Sequence, residues 1–238
     1  MKDVPVWDLP TRLFHWLLAL SVGTNVIVGP RGDWEFPLHV AAGCTALALV
    51  LFRIVWGVIG SRHSLFPDFV RGPRVVLQHL RDLLKLSQEP HTGHNPLGGW
   101  MVVTLLAMTL VTATTGLFSA TRRGTGGPFV GVIGGQGLGD LHGTLGNLMI
   151  FLVILHLCGV ALHYFVTREN IVGAMVTGRK RLDTESAAAE PPLVSRWRAV
   201  IPAAVAIALG GYLWSQAHFV SADAAGGSPP PSAAMTGD

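Results

Sequence analysis

Residues Leu141–Val166 read LHGTLGNLMIFLVILHLCGVALHYFV, a run with no aspartate, glutamate, lysine or arginine. About 20 apolar residues suffice to cross the hydrocarbon of a bilayer as a helix, so this stretch spans a membrane. It also carries three histidines, His142, His156 and His163. Thr11–Gly29, Leu38–Ile59, Leu97–Ser119 and, less strongly, Ala199–Phe219 have the same character, which makes five spans. Composition agrees: of 238 residues half are hydrophobic and 13% charged, where a soluble domain averages about a quarter charged. The expectation is an all-α integral membrane protein with lipid covering much of its surface.

Lysine and arginine set the orientation. With Arg53 left aside inside the second span, thirteen basic residues fall on the side of Lys2, Arg62, Arg81, Lys180 and Arg198. The other side has Arg31, Arg122 and Arg123. This bias predicts a cytoplasmic N-terminus, an outside C-terminus and a multi-pass protein of the bacterial cytoplasmic (inner) membrane. Asp3 and Asp8 precede the first span and no small-x-small cleavage site follows it, so it reads as retained. A net charge of +3 without an aromatic-interleaved basic patch excludes a nucleic-acid partner. Cys44 and Cys158 lie in apolar spans at different depths and read as unpaired packing residues. Pro73–Gln88 alternates apolar and basic positions as an interfacial helix does, and Asn95-Pro96 reads as a helix N-cap with proline in the first turn. The glycine-rich stretch Arg122–Gly139 fits no phosphate-binding register and reads as a flexible outer loop. The Ala/Gly/Pro/Ser-rich tail Val220–Asp238 is expected to be disordered.

Ionisable groups inside a span are costly, and each is a candidate for function. Four of the ten histidines stand out: His15 in the first span, His39 at the start of the second, His142 and His156 in the fourth. Fourteen residues at about 100° each close four turns to within about 40°, so His142 and His156 share one face about 21 Å apart. By depth, His142 pairs with His39 near the outer end, and His156 with His15 towards the cytoplasm. Two neutral imidazoles facing each other across an apolar slot suit bis-histidine ligation of haem iron. Zinc would want further ligands that the neighbouring turns do not supply. Gly43, Gly143, Gly146 and Gly159 near these turns suit either the close approach of a flat macrocycle or ordinary helix packing.

Val6-Trp7-Asp8-Leu9-Pro10-Thr11-Arg12-Leu13-Phe14-His15-Trp16, His39 with Phe52-Arg53 and Trp56-Gly57, Gly93-His94-Asn95-Pro96-Leu97-Gly98-Gly99, and then His142 and His156 together resemble the bacterial cytochrome b561 proteins and the cytochrome b subunit of nickel-iron hydrogenases. The resemblance covers roughly residues 4 to 170. It implies a four-helix membrane bundle holding two haem b groups, with ligands at these four histidines. On that reading residues 1–170 form the di-haem domain, 171–198 a cytoplasmic linker, 199–219 the fifth transmembrane helix and 220–238 the extracytoplasmic tail.

The expected function is electron transfer across the bilayer between quinone and a redox partner. That partner would be an extracytoplasmic c-type cytochrome, a dehydrogenase or a hydrogenase. The chain is then an oxidoreductase subunit rather than a stand-alone catalyst. Arg53, 14 residues after His39, suits either a propionate of the His15/His156 haem or lipid headgroups. His163, Arg12 and His94 read as interface residues; His63, His79, His91 and His218 read as solvated surface. The rival classes are a haem-free transporter or structural membrane subunit, which would more typically show repeated halves, and an intramembrane serine hydrolase, disfavoured because no G-x-S lies in a span.

Overall fold

The computed structural model describes residues 2–29, 35–84, 92–120, 126–133, 135–182, 187–188 and 190–217. The tail Val220–Asp238, His91, His218, Lys85, Arg31, Arg122 and Arg123 lie outside the described residues. In chain order the elements are β1 (Lys2–Pro5), α1 (Leu9–Val28), α2 (Glu35–Ile59), α3 (Phe66–Phe69), α4 (Pro73–Leu84), α5 (Pro96–Phe118), α6 (Val130–Ile133), α7 (Gln136–Thr167), α8 (Ile171–Thr177), β2 (Arg179–Leu182) and α9 (Val200–Ser215). The five apolar runs are α1, α2, α5, α7 and α9, the last counted with the turn before it as Arg196–Ser215, each long and apolar enough to cross a bilayer.

Local chemistry explains where these helices start. The Asp8 carboxylate accepts the Thr11 N–H at 2.8 Å, so α1 begins two residues before the expected Thr11. Asn95 caps α5 as expected, accepting the Gly98 N–H at 2.6 Å. Each cap satisfies a backbone donor that the first helical turn leaves over.

Helix α1 packs along α2, α2 against α5, and α5 against α7. Helix α9 lies along α2. Its beginning, Ala199 and Ala206, joins Phe52 and Trp56 in one apolar cluster, and Leu213 near its end joins Phe36, Val40 and Cys44 in another. It therefore runs along much of α2 in the opposite direction, the contact of a spanning helix and not of one lying on a membrane face. Large apolar side chains such as Leu20, Ile27, Phe151, Leu157, Ile201 and Ile207 remain exposed along the bundle. In water that would be an aggregation surface; in hydrocarbon it is the lipid contact. Cys44 is buried, Cys158 exposed, and both are free.

The ends that carry the basic residues meet at one end of the bundle. Strand β1 pairs antiparallel with β2, setting Asp3 opposite Arg181. This two-stranded clip is not legible as a strand pattern in the sequence. It forms because Gly178, at φ 80°, turns the chain after α8 and offers its carbonyl to the N–H groups of Val6 and Trp7 at 2.8 and 3.1 Å. A side chain there would be strained by that φ and would press on the Trp7 carbonyl. Residues 171–198 thus contain α8 and β2, and Glu190 reaches back to His63, beyond the end of α2. At the opposite end the described part of the glycine-rich stretch folds over α5. Gly127 and Phe129 donate to the carbonyls of Ser119 and Leu117 at 2.9 and 2.8 Å, which anchors a segment that reads in sequence as a free loop.

Candidate functional site

His39 and His142 face each other from α2 and α7. Their ring centres are 5.9 Å apart and their planes nearly perpendicular, at 88°. His142 is fixed by α5: its Nδ1 donates to the Thr112 carbonyl at 2.9 Å. A backbone carbonyl can only accept, so the proton sits on Nδ1 and Nε2 keeps its lone pair. This is the arrangement in which a ligating histidine is oriented by a second hydrogen bond. Gly116, one turn further along α5, makes room for the ring, since a Cβ there would lie 2.9 Å from His142 Cε1. The sequence reading overlooked both residues. A lone glycine inside an apolar helix was the available signal for Gly116; the Thr112 carbonyl leaves none.

His15, on α1, and His156, on α7, are also electrostatic neighbours. Of the two pairs that depth suggests, His39 and His142 are in ring contact, while His15 and His156 are electrostatic neighbours. In His15 and His39 the Nδ1 atoms are buried without a hydrogen bond. Buried polar atoms are normally satisfied. Four glycines near these histidines, Gly43, Gly143, Gly146 and Gly159, have no atom within 4 Å of where a Cβ would stand. None of the four is therefore held by a close helix contact. Helix α7 is held to the bundle through α5, and among the described residues no extended packing closes it onto α1 or α2.

Towards the end with β1 and β2 a polar cluster lies beyond the His15/His156 pair. Arg53 is 2% exposed, stacks over Phe66 and Phe69 at 5.1 and 5.8 Å, and has an Nη1 with no partner. At that burial it does not snorkel to lipid headgroups. His94 packs against Trp7 and Phe69 with ring centres 4.6 and 4.8 Å away, and its buried Nδ1 is also unpartnered. Burial first, then the charges of Arg53, Lys180, His63 and His15, push His94 down to about 3, so it is neutral.

Asp8 is the hub of the neighbouring network. It accepts from Trp56 Nε1 at 3.1 Å and Ser64 Oγ at 3.0 Å besides capping α1. His163, Glu169 and Lys180 form a second group: Glu169 contacts His163 Nε2 at 3.1 Å and Lys180 Nζ at 2.7 Å. His63 and His79 are not solvated. They are 7% and 8% exposed, and His63 is clamped by Asp68 and Glu190 at 2.9 and 2.8 Å. Glu190 stands far along the chain from His63, which is why local sequence did not show the clamp.

The sequence profile of prokaryotic cytochrome b561 matches residues 6–178. The chain belongs to that family. The match covers α1 to α8 and so contains all four span histidines, Arg53 and His94. As a cytochrome b561 family member this is a membrane cytochrome b, a haem b electron carrier. The chain is also similar to proteins named as probable Ni/Fe-hydrogenase B-type cytochrome subunits. The one from Rhodobacter capsulatus is 25% identical over 75% of this chain and 81% of its own length. Those from Bradyrhizobium diazoefficiens and Cupriavidus necator are 23% and 27% identical, each over 75% of this chain and 86% and 87% of their own lengths. No solved structure matches.

Proposed function

We propose that this cytochrome carries electrons across the bilayer through two bis-histidine haems, the outer one held by His39 and His142 and the cytoplasmic one by His15 and His156. The observation that carries the reading is the geometry of His39 and His142. Their ring centres are 5.9 Å apart, and with one imidazole from each of two helices this pair would hold a haem iron between them.

Haem supplies a one-electron iron couple at each site. The protein's part is to hold and tune it. Thr112 fixes the tautomer and the rotation of His142, so that one ring nitrogen is committed to the backbone and the other is free. Bis-histidine ligation leaves no open iron position and favours electron transfer over chemistry at the metal. The unpartnered Nη1 of Arg53 and the unpartnered Nδ1 of His94 supply polar contacts for the propionates of the cytoplasmic haem. The apolar side chains around both pairs exclude water and keep the couples in a low dielectric.

The redox partners in this reading are the quinone pool and an extracytoplasmic protein, a hydrogenase first. The curated relatives carry that name, and a dehydrogenase or c-type cytochrome would use the same outer haem. The charge bias supports N-inside, C-outside insertion in the inner membrane. Proteoliposomes loaded with ferricyanide and given external quinol test the transfer. Wild-type protein should reduce the entrapped acceptor, and His142→Ala and His156→Ala should each abolish this. Transfer undiminished in either variant contradicts a path through both pairs.

A further inference from the structure

Beside the first turn of α1, at the basic end of the bundle, lies a cavity of about 330 Å³ lined by Arg12 of α1, Arg179 of β2 and Arg196 of the segment before α9. Among the described residues none of the three has a carboxylate within ion-pair distance. Arg12 is held in place: its Nη1 donates to the Val176 carbonyl at 2.6 Å, and its Nε is buried without a partner next to Gly178. Arg179 gives one hydrogen bond, to the Asp3 carbonyl at 3.1 Å, and Arg196 lies over Trp197 at 5.8 Å. Asp8 also lines the cavity, but its oxygens are taken by Thr11, Trp56 and Ser64. The cavity is therefore positive with donors to spare.

Apart from Thr177 its other walls are mainly apolar, Leu9 and Val194 among them, and Leu9 also belongs to the exposed apolar surface of α1. Leu9, Leu13, Trp16, Leu20 and Ile27 are 39%, 53%, 43%, 67% and 73% exposed. At about 100° per residue they fall within a strip about 60° wide. An arginine-lined cavity at the depth where a span begins, opening onto an apolar strip that descends into the hydrocarbon, matches an anionic headgroup with acyl chains below it. Arginine suits phosphate oxygens because its planar fork donates two bonds at once.

We propose that this cavity binds an anionic phospholipid of the leaflet on the basic side, with its phosphate on Arg12, Arg179 and Arg196 and an acyl chain along the Leu9–Ile27 strip. The site is separate from the histidine pairs, and its assignment does not depend on how they work. Bound this way, the lipid would fasten α1, β2 and the start of α9 together at the end where the clip closes.

The test uses the full-length holoprotein in detergent, stripped of lipid and titrated with phosphatidylglycerol, phosphatidylcholine or inorganic phosphate, read by native mass spectrometry and thermal melting. Wild type should retain phosphatidylglycerol and melt higher with it, and phosphatidylcholine and inorganic phosphate should do neither. Arg179→Gln/Arg196→Gln should weaken binding about fivefold per arginine removed, with its haem spectrum unchanged to show that it folds. Arg62→Gln/Arg181→Gln, basic residues outside the cavity, should bind as wild type does. Equal binding by the cavity variant, equal retention of phosphatidylcholine, or a full shift with inorganic phosphate alone would each overturn the proposal.

Discussion

His142 donates its Nδ1 proton to the carbonyl of Thr112 at 2.9 Å, so α5, which carries none of the four paired histidines, decides which nitrogen α7 presents to the bundle centre. A neutral imidazole has one donor and one acceptor nitrogen. Committing the donor to the backbone readies the acceptor for a metal before any metal is present, as ligating histidines commonly are.

If this is how the outer site is held, single substitutions should separate the two sites. His142→Ala should remove the outer haem and leave the cytoplasmic one, and His156→Ala should do the reverse. Each variant should lose about half the haem, measured as pyridine haemochrome per chain. A variant that keeps two low-spin haems shows the pairing to be wrong for its site.

Gly116 should matter without touching the chemistry. A Cβ would stand 2.9 Å from the His142 ring, so Gly116→Ala should displace the imidazole and lower occupancy of the outer haem. The cytoplasmic haem should be unaffected, and the chain should still insert in the membrane. Equal occupancy of both sites in this variant would mean that the ring tolerates the methyl group.

The spans and their order are legible from the sequence because hydrocarbon tolerates so few charges, and the histidines are legible because they are the exceptions. Helical periodicity and depth then pair His39 with His142, whose rings meet in the structure, and His15 with His156, which are electrostatic neighbours there. Contacts between distant segments are not legible. The β1–β2 clip, the Glu190–His63 contact and the Thr112 carbonyl each join parts of the chain with no local pattern to announce them. His63 reads as surface for this reason, since its neighbours in sequence are Arg62 and Ser64 and its second carboxylate, Glu190, comes from beyond α7 in the chain.

Acid should loosen the end that carries the clip. Burial raises the Glu169 carboxyl, but the hydrogen bonds from His163 and Lys180, and their charges, outweigh it and hold the group at about 2 against an ordinary 4.5. A folded-state value below the unfolded one means that stability is fully present above about pH 4.5 and is lost as pH falls towards 2. Wild-type melting should therefore fall across that window, and Glu169→Gln should show a smaller fall with a lower melting point at neutral pH. Parallel pH profiles for the two proteins would show that Glu169 does not anchor the clip.

Topology is open to direct labelling. Helix α9 lies antiparallel along α2, so Ser228→Cys, beyond its end, should react with a membrane-impermeant thiol reagent in intact cells. Reaction only after lysis would put that segment in the cytoplasm and reverse the proposed direction of the fifth span.

The most direct test of two bis-histidine haems is a reduced-minus-oxidised spectrum of the purified wild-type protein together with its haem-to-chain ratio. The account predicts two haem b groups per chain, both low-spin when oxidised and when reduced, with sharp b-type bands and no change on adding carbon monoxide. One haem per chain, or a high-spin haem that binds carbon monoxide, would contradict it.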